Sequence, residues 1–231
     1  MALAMAIGLN ALARSRRGRE TGRNVAESEP DTCGGDTVDG RGTPIRYLAW
    51  IGLFSTYFAV GASWNVFPIY LNEVLGHSKP VIGGLFLTRS VAMSIAFILL
   101  GSTTFWHFRT YPLIAAQVAF AATVLVLIPL KSNFALAVDF AMFGAISAFC
   151  YSSAVFHGVA ETKEKARRVA LHEAILASST VSGSVLAGLA YQEFSMVAVF
   201  AGCAALCLLA AAAQTAGAIL IKRTNQNRTG N

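Results

Sequence analysis

Six long apolar segments follow one another from Tyr47 almost to the end of the chain, at residues 47–71, 81–104, 112–130, 134–158, 170–190 and 195–221. Each is 19 to 27 residues long. An α-helix rises about 1.5 Å per residue, so each segment can cross a hydrocarbon layer of about 30 Å. Backbone polar groups in a bilayer must be bonded internally, which makes helices the natural form for such segments. Six of them in 231 residues leave no room for a soluble domain. The expected fold is all-α, a polytopic membrane bundle of six transmembrane helices over 47–221, with a cytoplasmic tail at 222–231.

The distribution of charge orients the bundle. Only 13% of residues are charged, and the net charge is +6. The basic residues sit in short loops at helix ends, a pattern that suits an anionic membrane leaflet rather than nucleic acid. With the leader inside, fifteen Lys and Arg fall on the cytoplasmic side, among them Arg14, Arg46, Arg109, Arg167, Arg168 and Lys222. Only Lys79 and Lys131 fall outside. This bias predicts an integral, multi-pass protein of the cytoplasmic or plasma membrane with both termini cytoplasmic, which requires an even number of spans. The four cysteines, Cys33, Cys150, Cys203 and Cys207, form no CxxC pair and no His/Cys cluster. Neither a disulfide nor a metal is expected, and no cofactor motif is present.

The first 46 residues differ from the rest. Met1–Ala13 is apolar but too short to span, and the arginines follow it rather than precede it, the reverse of a signal peptide. It reads as the end of a truncated transmembrane helix or an apolar leader. Residues 14–46 are basic, then acidic and rich in Gly, Ser and Asp, the composition of a flexible cytoplasmic linker.

Local motifs carry a family resemblance. The first span ends in Phe67-Pro68-Ile69-Tyr70-Leu71, followed by Asn72-Glu73-Val74-Leu75-Gly76 and then Val81-Ile82-Gly83-Gly84. Arg167-Arg168-Val169-Ala170-Leu171-His172-Glu173-Ala174 precedes the fifth. With the helix end, linker and six spans, these segments resemble the C-terminal six-helix half of a major facilitator superfamily transporter, half of a 12-helix fold. The loop between the second and third spans departs from the family's Gly-x-x-x-Asp-Arg-x-Gly-Arg signature, keeping Gly101 and Arg109 but no acid. The resemblance implies secondary active transport of a small solute by alternating access, coupled to an ion or proton, and no enzymatic activity. It also implies that helices one, two, four and five of the half face the cavity while three and six stand outside. The polar residues agree: Ser55, Thr56, Tyr57, Ser63, Trp64 and Asn65 lie in the first span, Ser147 and Tyr151 in the fourth, and five hydroxyls between Ser178 and Ser184 in the fifth. The third and sixth read as almost wholly apolar.

Charges inside spans are the sharpest functional clues, because each costs about 2.5–3.5 kcal/mol on insertion scales and is normally paired or hydrated. Arg89 lies about nine residues into the second span and Asp139 about five into the fourth, which makes a salt bridge between them an expectation. Arg89, Asp139, Asn65, Tyr57, Tyr151 and His157 are the candidates for the substrate and ion pathway. His157 follows Asp139 by eighteen residues, five helical turns, on the same face. His172 and Glu173 read as helix-start chemistry. Thr180, Gly183, Ser184, Ala187 and Gly188 form a small-residue stripe suited to close helix packing.

Enzymes fare poorly in comparison. Gly61-Ala62-Ser63 lacks the following glycine of a serine-hydrolase motif, and His172-Glu173-Ala174-Ile175-Leu176 is not HExxH. An intramembrane hydrolase is therefore not expected. A six-helix half alone would turn a polar face to lipid, so it needs a partner besides the bilayer and its solute. That partner is a missing N-terminal half or a second copy; the alternative reading is a self-contained six-span homodimer or a non-transporting scaffold.

Overall fold

The structure, a computed structural model, describes residues 44–229 except 161 and 163. The apolar leader and most of the linker lie outside the described residues. Six α-helices follow in the order of the six apolar segments: α1 (Ile45–Glu73), α2 (Lys79–Gly101), α3 (Tyr111–Val126), α4 (Asn133–Val159), α5 (Lys165–Glu193) and α6 (Met196–Thr229). No strand occurs among the described residues. α2, α4, α5 and the Met196–Arg223 part of α6 are each long and apolar enough to cross a membrane. α3 is shorter, with 16 residues ending in a turn before Lys131. α1 has 29 residues, and its length is ample. Its hydropathy is lowered by Ser55, Thr56, Tyr57, Ser63, Trp64 and Asn65, polar or amphipathic residues spread around the helix.

Helix starts follow local chemistry. Pro80 and Pro112 occupy the first turns of α2 and α3, where a missing N–H costs nothing and the fixed φ suits the helix. Gly76 takes a left-handed φ of 69° just past the end of α1, the position at which a side chain would be strained. The neighbouring His77 N–H donates to the Leu71 carbonyl at 2.9 Å, closing the turn that sends the chain into α2.

α1 and α4 form the centre. α1 packs against α5 on one side and α6 on the other, α2 lies along α4, and α3 packs against α6 and α4. An aromatic knot joins three of these helices: the fully buried Phe67 stacks on Phe140 at 5.5 Å and meets Phe200 edge-on at 5.3 Å. The outward residues of α2 (Leu87, Val91, Ile95, Ile98 and Leu99) are exposed apolar side chains. An exposed surface of that kind suits contact with lipid.

Backbones approach closely where glycine permits it. A Cβ at Gly183 would strike the Phe58 carbonyl of α1, and one at Gly61 would strike the Thr180 carbonyl of α5. The same crossing is tied by hydrogen bonds. Ser184 Oγ donates to the Gly61 carbonyl at 2.9 Å, and Asn65 Nδ2 to the Ser184 carbonyl at 3.4 Å. Ala187 is buried one turn further on. Gly188 differs, because a Cβ there would meet nothing within 4 Å. The packing stripe therefore narrows to its Thr180–Ala187 part.

The third and sixth helices are not wholly apolar. Gln117 of α3 and Gln214 of α6 are each 1% exposed and reach into α1. Gln117 Nε2 donates to the Gly52 carbonyl and Thr56 Oγ1, both at 3.0 Å, and its Oε1 accepts from Ser55 Oγ at 2.8 Å. Gln214 Nε2 donates to the Leu48 carbonyl at 2.9 Å. A single amide in each outer helix thus fastens it to the centre, since an unmatched amide in lipid is costly. The hydroxyls of Ser55 and Thr56 are spent on this internal network, on the side of α1 that faces α3 and α6.

Candidate functional site

Side chains from α1, α2, α4 and α5 meet in a polar strip along one side of the bundle. Its centre is Arg89, 3% exposed although it carries a guanidinium. The position follows from backbone packing, because Gly144 of α4 lies directly against the Arg89 carbonyl and fixes that level of α2. The guanidinium carbon stands 5.3 Å from the centre of the Trp64 ring and 5.4 Å from that of Phe143. Such faces carry partial negative charge and attract cations. Ser63, Trp64, Phe86, Leu127, Phe140 and Phe143 line a small cleft with Arg89.

The expected Arg89–Asp139 salt bridge does not form. Among the described residues, the ion pairs are Arg167–Glu164 at 3.2 Å and the His172–Glu173 contact at 3.9 Å. The reason is register. Gly144 is the residue of α4 beside Arg89, and Asp139 precedes it by five positions, about 7.5 Å along the axis and about 140° around it. Asp139 is buried at 5% exposure, and its Oδ2 has no hydrogen-bond partner. The eighteen residues to His157 place that histidine about 27 Å away along α4, so the two form no contiguous relay.

His157 belongs to a different cluster. It is 1% exposed, its Nδ1–H donates to the Ser153 carbonyl at 2.7 Å, and Trp106, Phe108 and Phe156 surround its ring. It therefore packs beneath the loop between α2 and α3.

Toward the N-terminal end of α1 the strip continues through Tyr57, which lies on the same face of α1 as Trp64, two turns away. The Tyr57 hydroxyl is buried without a partner. Its ring is 6.3 Å from that of Tyr151, which in turn stands edge-on to His172 at 4.9 Å. The Tyr151 hydroxyl donates to Glu173 Oε1 at 3.0 Å. His172 is 1% exposed, and neither ring nitrogen makes a hydrogen bond, whereas half of the Glu173 side chain is open. Toward the C-terminal end of α1, Trp64 is 52% exposed and Asn65 is exposed beside it.

Tyr57, Arg89 and Tyr151 thus share one strip, with Asn65 at its outer margin, while Asp139 and His157 stand apart from it. His172 and Glu173 join it unexpectedly. The apolar run begins at residue 170, but α5 begins at Lys165, so both residues are a full two turns inside the helix rather than at its start. The signal available in the sequence was the helix-forming Lys165-Ala166-Arg167-Arg168 run ahead of the apolar stretch.

The strip provides donors around Trp64, Arg89 and Tyr57 and a carboxylate, Glu173, beside Tyr151. It has no paired nucleophile and base, and no group of three or more metal-ligating side chains occurs among the described residues. The family model described as Major Facilitator Superfamily matches residues 49–231. A search of curated proteins returned no match.

Proposed function

The chain belongs to the major facilitator superfamily, and from that membership we propose that it forms one six-helix half of a secondary active transporter that moves a small solute by alternating access. The family match and the helical bundle make it an integral, multi-pass membrane protein of a transporter family. The finer reading rests chiefly on one observation. A bundle whose outward faces are largely apolar keeps the buried Arg89 and Tyr57 together with Tyr151 and the open Glu173 in one strip contributed by α1, α2, α4 and α5. Such a strip is costly against lipid and useful against a water-filled path.

In this reading the strip lines one wall of the pathway, and a second six-helix body forms the other. That body is an N-terminal half or a second copy of the chain. Helices built as two rigid groups then rock about the solute site, opening it alternately to each side. Coupling to an ion or proton supplies the driving force, with both termini cytoplasmic and the plasma membrane as the site of action.

Reconstituted transport tests this directly. In a transport-competent assembly, Arg89→Ala is expected to abolish gradient-driven uptake while membrane insertion, followed by carbonate extraction, stays at the wild-type level. Uptake at the wild-type rate in that variant would remove Arg89 from the pathway.

A further inference from the structure

Among the described residues, Arg89 is a fixed cation with no anion beside it. The residue is 3% exposed, yet among the described residues it makes no ion pair and no hydrogen bond, and its Nε is a buried donor without a partner. Two aromatic faces flank the guanidinium, and neither offers its Nε–H a hydrogen-bond acceptor atom. A second orphaned donor, the Tyr57 hydroxyl, lies on the same face of α1 as Trp64, two turns away. Of the acids on the same side, Glu173 is engaged by Tyr151 and makes no ion pair with Arg89. Asp139 is held off by register, as described above.

Two unmatched donors around one uncompensated positive charge describe the complement of an acid. We propose that Arg89 and Tyr57 form the recognition site for a monocarboxylate, with the apolar part of the solute against the exposed ring of Trp64. The two carboxylate oxygens accept from the guanidinium fork, and one of them also accepts from the Tyr57 hydroxyl. Charge selects the class. One guanidinium and one carboxylate leave the site neutral within the bilayer, whereas a dianion would leave a net negative charge there. Aromatic walls favour a planar apolar body over a polyhydroxylated one. This deepens the transport proposal and rests on it for its physiological meaning, but binding can be read without flux.

The probe is benzoate, with benzamide as its uncharged counterpart and inorganic phosphate as a competing anion. The transport-competent assembly, chain and partner body together in lipid nanodiscs, is titrated with each by equilibrium dialysis. Benzoate is expected to bind saturably and about tenfold or more tightly than benzamide, the discrimination a charge-assisted contact provides. Arg89→Gln should remove that preference, and Arg89→Lys should restore part of it. Equal binding of benzoate and benzamide, no saturable benzoate binding, or an undiminished preference in a folded Arg89→Gln protein would overturn the assignment. Phosphate binding tighter than benzoate would overturn the monocarboxylate class. Uptake into proteoliposomes separates the two readings. Charge-selective binding without flux sinks the transporter and keeps the site, whereas flux of benzamide that survives Arg89→Gln keeps the transporter and sinks the site.

Discussion

Arg89 and Asp139 show what a single residue can and cannot reveal. Both stand out in the sequence because a charge within an apolar run costs about 2.5–3.5 kcal/mol unless something compensates it. Their similar depth from the outer end made a pair reasonable, but pairing depends on azimuth as well as depth. Gly144, which has no side chain to keep α2 away, sets α4 against Arg89 and turns Asp139 elsewhere. Asp139 is left as a buried acid with an unpartnered oxygen, and we propose that it carries the coupled proton. Asp139→Asn is therefore expected to insert and fold, to retain solute exchange, and to lose accumulation driven by a proton gradient. Accumulation equal to wild type at the same gradient would exclude it as the proton carrier. Gln117 and Gln214 illustrate the converse. An isolated amide in an apolar span is easily passed over, yet each buries itself against the α1 backbone.

Among the helices, the crossing of α1 and α5 is the most sharply defined contact. Apolar side chains gain little from leaving lipid for a protein interior, so helices associate through close packing and interhelical hydrogen bonds. Gly61 and Gly183 let the two backbones meet, and the Ser184 hydroxyl bonds across the gap. Gly183→Leu should overpack the crossing and cost about 1–3 kcal/mol, with a matching fall in thermal stability measured in detergent. Gly188→Ala faces open space and should change stability by no more than about 1 kcal/mol, in the favourable direction expected for alanine in a helix. A Gly183→Leu protein as stable as wild type would mean that the crossing does not hold the bundle together. The small-residue spacing in α5 was legible in advance because i, i+3, i+4 periodicity assigns a face. Its end was not, since Gly188 shares the face but lies where α1 has moved away.

For the whole molecule, the charge bias predicts an arrangement that chemical labelling can check. Single cysteines at Ser78 and Ser132, at the outer ends of α2 and α4, should react with an impermeant maleimide added to intact cells. One at Thr110, in the loop before α3, should react only after the membrane is opened. Cys150, Cys203 and Cys207 are buried, so they contribute little background, and Cys33→Ser removes the remaining thiol. Labelling of residue 110 in intact cells would reverse the orientation.

The class of the molecule, the number and order of its helices and its family resemblance were present in the sequence alone. Segment length and hydropathy are summed over about twenty residues, and such sums survive local error. The existence of Arg89, Tyr57 and Tyr151 as polar residues within spans was equally visible. Only tertiary structure decided that Tyr57 and Tyr151 join Arg89 while Asp139 and His157 do not, that His172 and Glu173 belong to the strip, and that Ser55 and Thr56 serve the back of α1. These outcomes depend on helix rotation and on contacts between segments far apart in the chain. Rotation is set by where glycines let backbones approach and by which amides find partners, and neither is determined by any one helix read by itself.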